Sequence, residues 1–423
     1  MKKYFALNKN VILVKGYCRG VIQDLENRKI YSVDKNSKEY IYKLIQGISV
    51  EDVLADESEK DKKAFESYLD LLVEKKIGYY SDDKVISGIY NHEKLIKKEL
   101  TTVWFELRKA CNLRCCHCYM DCNSQRDNDI NILSMNEWKD IIDQLKEYNP
   151  ERIILIGGEP LLFKEIDDLI CYCRRVLLNT EIVLYSNITL LNDKLIDVIV
   201  KNKVKVVTSI YSNNEEIHDK ITGHIGSFDK TVSNIKRLRK LNVFVKANIV
   251  IMKYNCDNIS DIMKFTYDIT GVKSRVDIVR DVGESKKYLI PEGLTIPFNR
   301  IRTKPVFKGI GEATFIKNYS GNSCWQGKIN ISCDGSVSPC IMESKFINKN
   351  YNIRVQTLKD IIESYIIPQF WSISRDYIDE CKDCEYRYVC KDCRPICEKG
   401  NNMNSKGEVC KYNPYLGIWN ESK

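Results

Sequence analysis

The chain has 423 residues, of which 43% are hydrophobic and 29% are charged, and its formal net charge is +8. This length suits about two to three domains with buried cores. The excess lysine is scattered rather than gathered into a basic block with aromatic residues, so nucleic-acid binding is not indicated. No apolar run approaches the roughly 18 residues of a membrane span, and Asn8, Lys9 and Asn10 interrupt the start of the chain. We therefore expect a cytoplasmic protein without a membrane partner.

The 18 cysteines are the most informative part of the composition. The cytoplasm keeps thiols reduced, so a cytoplasmic chain with many cysteines is more often a metal protein than a disulfide protein. One group of cysteines lies at 111–122 and a second at 324–410. This distribution predicts two separate metal-binding regions.

Residues 1–85 predict a small α+β domain, winged-helix-like in its order of three strands and then three helices. The strands are rich in β-branched and aromatic residues and fall at 11–15, 20–25 and 29–33. Ser49 and Asp52 resemble a capping box, and the segment KAFESYLDLLVEKKIGYY places Phe65, Tyr68, Leu69 and Leu72 on one helical face. A lysine-rich stretch at 86–100 is predicted to be a linker.

Residues 101–310 alternate between strand and helix patterns. The predicted strands are the hydrophobic segments at 103–107, 152–156, 181–186, 204–210, 243–251 and 275–279. Ser134 and Glu137 form a second capping-box pattern. The alternation predicts an α/β fold with a parallel sheet, either a partial (β/α)6 barrel or a doubly wound sheet. Residues 311–423 lose the alternation and are rich in cysteine, so metal clusters would have to organise them.

The loop CNLRCCHCY follows the first strand of the alternating region. Its C-x3-C-x2-C spacing, at Cys111, Cys115 and Cys118, lets three thiolates bind three irons of a [4Fe–4S] cube and leaves one iron open. A zinc site or a buried thiol cluster is the alternative. The loop resembles that of the radical S-adenosylmethionine (SAM) superfamily. The resemblance implies that SAM binds the open iron and is cleaved to methionine and a 5′-deoxyadenosyl radical, which abstracts hydrogen from the substrate.

Further segments resemble the same superfamily at the ends of later strands. The turn Gly157-Gly158-Glu159-Pro160 looks like its GGEP segment, which implies contact with the amino group of SAM; glycines also let a backbone approach a ligand closely. Ser186 and Asn187 match positions that contact the SAM ribose, and Ser209 ends the fourth strand.

Downstream, the stretch from His218 to Phe228 looks like the family's HD…G…GSF segment. His218 could equally cap a helix.

The second cysteine group resembles the SPASM domain, which implies two auxiliary iron–sulfur clusters of the [4Fe–4S] type. By this resemblance the outer cluster is held by Cys381, Cys384, Cys390 and Cys410. The inner cluster is held by Cys324, Cys340 and either Cys393 or Cys397, because a C-x2-C stands where the family has C-x3-C. Cys333 or a substrate thiolate could supply its last ligand. A pair of zinc ribbons is the alternative for this region.

The sequence also resembles the "grasp-with-spasm" group of SPASM peptide maturases, through DGSVSPCI, CKDCEYRYVCKDCRPICEKG and SKGEVCKYNPYLGIW, and through VILVKG and GVIQDL near the N-terminus. This implies an enzyme that modifies a ribosomally made precursor peptide. The leader of that peptide would pair with the N-terminal domain, unless that domain is an unrelated winged-helix-like fold. An electron donor such as flavodoxin or ferredoxin is implied.

The predicted reaction is hydrogen abstraction from the peptide. A thioether, carbon–carbon or carbon–oxygen crosslink and epimerisation all remain open. The alternatives are a sulfatase maturase that makes formylglycine and a non-catalytic iron–sulfur scaffold that binds peptides.

Overall fold

The structure is a computed structural model of the chain. It describes residues 3–88, 99–120, 122, 131–280, 287–291, 307–342, 351–364, 366–390, 393–397, 404–407 and 410–419. The described residues form two compact units, each discontinuous in sequence. The first unit takes its residues from 1–97, 300–326 and 371–423, and the second from 98–299 and 327–370. The predicted domain boundaries stay predictions, and most of the predicted linker lies outside the described residues.

The N-terminal part of the first unit contains two antiparallel sheets and three helices. Its elements are β1 (Tyr4–Leu7), β2 (Val11–Lys15), β3 (Gly20–Asp24), β4 (Lys29–Val33), α1 (Lys35–Ile45), α2 (Val50–Val53), α3 (Glu59–Glu74) and β5 (Gly78–Ser81). β2, β3 and β4 pair in that order, and β1 pairs with β5. Phe65, Leu69 and Leu72 of α3 join the core between these layers, as the helical periodicity predicts.

The pairing of β1 with β5 corrects the sequence analysis, which placed no strand before residue 11 and ran the helical pattern to Tyr80. α3 ends at Glu74, and Lys76 takes a left-handed backbone at φ 57°. Residues 78–81 then pair in register with residues 4–7. Ser49 caps α2 by accepting a hydrogen bond from the Asp52 N–H, as predicted.

The second unit is built around a mostly parallel sheet. Its elements up to residue 278 are β6 (Thr102–Glu106), α4 (Met135–Leu145), β7 (Arg152–Ile156), α5 (Ile166–Val176), β8 (Glu181–Tyr185), α6 (Asp193–Lys201), β9 (Lys205–Ser209), α7 (Glu215–Thr222), α8 (Ser227–Lys240), β10 (Val245–Ile251), α9 (Ile259–Thr270) and β11 (Val276–Ile278). All six predicted strands are present. Ser134 and Glu137 form the predicted capping box of α4.

The remaining elements are short. They are α10 (Glu312–Ser320), β12 (Lys328–Ser332), β13 (Val337–Ser338), α11 (Leu358–Glu363), α12 (Ile366–Ser372), α13 (Arg394–Cys397), β14 (Tyr412–Asn413) and β15 (Ile418–Trp419). They nevertheless bury apolar side chains, among them Phe315 of α10, Ile329 of β12 and Trp371 of α12. The prediction that metal clusters organise residues 311–423 stays a prediction.

The order of strands in the parallel sheet decides between the two predicted topologies. β6 to β11 lie side by side in sequence order without reversal, and every neighbouring pair is parallel. A doubly wound sheet reverses its strand order, so the partial barrel is confirmed and the doubly wound alternative is wrong. β12 pairs in parallel with the outer edge of β6, and β13 follows it as a hairpin.

Polar contacts fasten this hairpin to β6. Ser332 donates to Glu106 at 2.6 Å, and Lys109 forms an ion pair with Asp334 at 3.1 Å. Burial raises the pKa of the Glu106 carboxyl. Across the described residues, no helix is both long enough and apolar enough to cross a membrane.

Candidate active site

A cavity of about 250 Å³ opens at the carboxyl ends of the parallel strands in the second unit. Ligands bind at this end of parallel sheets because the loops after the strands converge there. Predicted site residues that line the cavity are Cys111, Cys115, Cys118, Gly157, Gly158, Ser186, Asn187 and Ser209. Glu159 and Pro160 are buried and do not line it. The structure therefore brings most of the residues predicted to bind SAM, and the three cysteines predicted to bind the active-site cluster, to one cavity.

The three cysteines of the CNLRCCHCY loop are close enough to affect one another electrostatically. Burial raises the pKa of the Cys111 thiol to about 11, and the charges of Glu159 and Cys118 add to this. Burial also raises the pKa of Cys115, with further contributions from Cys111 and Cys118. Thiols crowded in this way favour a cation that lets them ionise, and an iron–sulfur cluster is such a partner.

The GGEP turn holds the start of the cysteine loop through backbone hydrogen bonds. The N–H of Gly158 donates to the Arg108 carbonyl at 2.7 Å, and the N–H of Glu159 donates to the Ala110 carbonyl at 2.9 Å. A Cβ on Gly158 would lie 2.2 Å from the Ala110 oxygen, so a side chain does not fit there. Gly157 also has a φ of 151°, and a Cβ there would lie 2.3 Å from the Arg108 oxygen. The close approach seen here is therefore to the cysteine loop, whereas contact with SAM stays a prediction.

The end of α7 holds the other side of the same loop. The N–H groups of Arg114 and Cys116 donate to the carbonyls of Thr222 and Ile221 at 2.9 and 3.0 Å. These carbonyls are among those that a helix leaves unpaired at its C-terminus. The N–H groups of the cysteine loop thus satisfy carbonyl groups at the C-terminus of α7, and these hydrogen bonds hold the loop in position.

Asn187 is the centre of a hydrogen-bond network that sequence reasoning did not find. Its side-chain amide donates to Asn112 Oδ1 at 2.9 Å and approaches Cys111 Sγ at 3.9 Å. Its Oδ1 accepts from the N–H of Thr189 at 2.9 Å. Asn112 lies inside the CNLRC motif, which was a sequence signal, but no pattern indicated its partners. The predicted contact of Asn187 with the ribose stays a prediction.

Glu159 links the GGEP turn to the end of β8. Its carboxylate accepts hydrogen bonds from the Ser186 hydroxyl at 2.7 Å, the Asn187 N–H at 2.9 Å and the Leu161 N–H at 3.0 Å. Burial raises the pKa of this carboxyl to about 7 although all three donors oppose the shift. Glu159 thus positions Ser186 and Asn187, and its predicted contact with SAM is untested.

Two residues of the segment from His218 to Phe228, Asp219 and His218, have different structural roles. Asp219 caps the start of α8, because it accepts from the N–H groups of Gly226 at 2.5 Å and Phe228 at 2.9 Å. His218 does not cap α7: the N-cap is Asn214, and His218 lies in the middle of that helix with its side chain at the cavity. The helix-cap reading of His218 is therefore wrong.

The cavity suits an iron–sulfur cluster and SAM. It offers three thiols, and it contains buried polar atoms that find no hydrogen-bond partner among the described residues, including Asn248 Oδ1 and the His218 ring nitrogens. Such atoms call for a polar ligand. Cys111, Cys115 and Cys118 would hold the cluster, whose bound SAM supplies the hydrogen-abstracting radical. In the described part of the chain, no three His, Cys, Asp or Glu side chains converge as they would around a single metal ion.

The C-terminal cysteines fall in both units. Cys381, Cys384 and Cys390 lie together in the first unit: burial raises the pKa of Cys384, and the charges of Glu385, Cys390 and Cys381 add to the rise. Cys324, Cys393 and Cys410 belong to this unit as well, whereas Cys340 and the buried Cys333 belong to the second. The side chain of Cys397 lies outside the described residues, so the choice between Cys393 and Cys397 stays open.

Comparison with known proteins agrees with this geometry. The family model of the radical SAM superfamily matches residues 106–266, and that of the SPASM iron–sulfur cluster-binding domain matches 324–385. The subtilosin biosynthesis protein AlbA of Bacillus subtilis is 24% identical over 73% of this chain and 70% of its own length. The GTP 3′,8-cyclase of Clostridium perfringens is 26% identical over 64% of this chain and 90% of its own length.

Among solved structures, Streptococcus suis SuiB bound to its precursor peptide SuiA has a TM-score of 0.59 at 16% identity, covering 96% of this chain and all of SuiB. The chain therefore contains a radical SAM domain, matched over residues 106–266, and a SPASM iron–sulfur cluster-binding domain, matched over residues 324–385. The radical SAM domain implies a [4Fe–4S] cluster and SAM as cofactors, and the SPASM domain implies auxiliary iron–sulfur clusters.

Proposed function

We propose that this enzyme modifies a ribosomally made precursor peptide by abstracting hydrogen from one of its carbons. The observation that carries the proposal is the combination of the thiol-lined cavity with a separate N-terminal antiparallel sheet. AlbA is a bacteriocin biosynthesis protein and SuiB was solved with a precursor peptide, which supports the same substrate class. The GTP 3′,8-cyclase, whose name gives a different substrate, is similar at a comparable identity, so similarity at this level does not fix the substrate.

The N-terminal domain is the proposed site for the leader of the peptide. In the described residues, β2 and β4 each pair on one side only, so each keeps an edge. An extended peptide can add to such an edge through backbone hydrogen bonds. The sheet lies over a core that includes Phe65 and Leu69 of α3, which makes it a rigid platform.

The chain's own residues support the chemistry by fixing positions. The GGEP turn and the end of α7 hold the cysteine loop, so the thiols keep their geometry when the cluster binds. Abstraction of one hydrogen atom leaves a substrate radical. A crosslink would require the loss of one further electron and one proton, for a total loss of two hydrogen atoms, and an auxiliary cluster held by the C-terminal cysteines would supply the electron acceptor. Epimerisation returns a hydrogen atom and leaves the mass unchanged.

The test is co-expression with the short peptides encoded beside the gene, followed by mass spectrometry of each peptide. We expect one peptide to lose two hydrogen atoms or to change configuration at one residue. Cys115→Ala should leave the same peptide unmodified. Conversion of a sulfatase-derived peptide to formylglycine instead would favour the sulfatase-maturase alternative. Modification that persists in Cys115→Ala would contradict the proposal.

A further inference from the structure

His218 is a buried histidine at the wall of the active-site cavity. It lies in α7 with 1% of its surface exposed, and it lines the cavity together with the three cysteine thiols. Its ring packs between Tyr211, with a centroid distance of 5.4 Å, and Phe228, at 5.5 Å. The ring is therefore held in place by aromatic packing.

Neither ring nitrogen of His218 has a hydrogen-bond partner in the described part of the chain. The neighbouring Asp219 accepts several hydrogen bonds, and the exposed His224 places Nδ1 2.8 Å from the Ile225 carbonyl. Buried polar atoms without partners destabilise the folded state, so natural proteins rarely keep them without a ligand or a functional need. Burial lowers the pKa of His218 to about 4, so the ring is neutral near pH 7 and offers one donor and one acceptor.

The same cavity wall lies near the cluster cysteines. Tyr211 lines the same cavity as Cys111, Cys115 and Cys118, and burial together with the charges of these cysteines raises its pKa. No Lys, Arg, Asp or Glu is among the described residues that line the cavity. The described lining residues thus offer a ligand neutral hydrogen-bonding groups, and SAM carries both donors and acceptors.

We propose that His218 hydrogen-bonds SAM in this cavity, and that the chain keeps an unpartnered buried imidazole for this contact at a cost in folding stability. The inference concerns cofactor binding alone and does not depend on the substrate being a peptide. It makes His218 a cofactor-binding residue that the cysteine loop and the GGEP turn do not reveal.

The test compares His218→Leu, which removes both polar atoms, with His218→Gln, which keeps a donor and an acceptor. His224→Gln is the matched control, because that histidine is exposed. Equilibrium dialysis of anaerobically reconstituted protein gives the dissociation constant for SAM, and iron content shows that the clusters are present. We expect about tenfold weaker SAM binding in His218→Leu, substantial recovery in His218→Gln and no change in the control.

A second measurement separates this contact from a purely structural role. The thermal midpoint of the protein without SAM should be unchanged or higher in His218→Leu, because the substitution removes unpaired polar atoms from the interior. A lower midpoint together with a dissociation constant within about twofold of wild type would overturn the proposal. That result would leave the proposed peptide modification intact, since the latter is measured on the peptide.

Discussion

The two groups of cysteines lie in surroundings of different kinds. The loop with Cys111, Cys115 and Cys118 leaves a buried parallel strand and is hydrogen-bonded along its backbone to the GGEP turn and to the end of α7. The segment with Cys381, Cys384 and Cys390 contains only a short 3-10 turn at Cys381–Asp383. Regular structure positions the first group, whereas the second depends on local turns and side chains.

Side-chain contacts around the second group show this dependence. Asp376 accepts hydrogen bonds from Arg387 at 2.8 Å and from Tyr388 at 2.9 Å, and Lys406 pairs with Glu380 at 2.6 Å. Such contacts stabilise a loop region only modestly. We infer that the first cluster can be lost without unfolding its unit, whereas loss of an auxiliary cluster lowers the stability of the first unit.

The largest expected effect is that of Cys115→Ala. Without this ligand the active-site cluster is lost, so iron should fall by about four per chain and SAM cleavage by roughly a thousandfold or more. The thermal midpoint of the apoprotein should stay close to wild type, because the loop keeps its backbone hydrogen bonds. Cys116→Ala is the matched control, and equal losses in both variants would refute the assignment of the ligand.

Gly158→Ala tests whether the turn positions the loop. A Cβ there would meet the Ala110 oxygen at 2.2 Å, so the cysteine loop must move. We expect SAM cleavage to fall by about 10- to 100-fold, since misplacement by about 1 Å costs on this order. Deoxyadenosine formation, measured by mass spectrometry, is the readout. A wild-type rate would show that the loop does not need this contact.

Cys384→Ala tests whether the cluster at the second cysteine group stabilises the first unit. We expect loss of iron, a thermal midpoint lower by about 5 °C or more, and deoxyadenosine formation within roughly threefold of wild type. Cys171→Ala changes an exposed cysteine of α5 and serves as the control. Calorimetry and iron analysis decide the outcome. An unchanged midpoint with iron lost would show that the C-terminal region folds without its cluster.

The smallest effect concerns Arg354, which binds Glu137 at the start of α4 at 2.5 Å. The hydrogen bond from Arg354 is the main cause that lowers the pKa of Glu137 to about 2. The folded-state pKa is depressed, so this stabilisation is present above about pH 4.5 and is lost as the pH falls toward 2. Both side chains are partly exposed, so Arg354→Gln should lower the free energy of unfolding by only about 0.5–1 kcal/mol at pH 7. Urea denaturation at pH 7 and pH 3 measures the difference in unfolding free energy between wild type and Arg354→Gln. An equal difference at both pH values would contradict the proposed pH dependence of this ion pair.

The sequence predicts the parts of the site that follow from local pattern. The cysteine spacing, the GGEP turn and the strand ends at Ser186 and Ser209 were all visible, and the structure brings them to one cavity. The pairing of residues 4–7 with 78–81 was missed, because both strands are short and their contact is distant in sequence. The partners of Glu159 and the lack of partners at His218 were also hidden, since they depend on how separate loops meet in space.

The most direct test of the central claim is SAM cleavage by the wild-type enzyme. The protein would be purified without oxygen, its clusters reconstituted, and dithionite and SAM added. The account predicts that 5′-deoxyadenosine and methionine appear in equal amounts. Intact clusters and bound SAM with no deoxyadenosine, in the presence or absence of the peptide, would contradict the claim that this chain is a radical SAM enzyme.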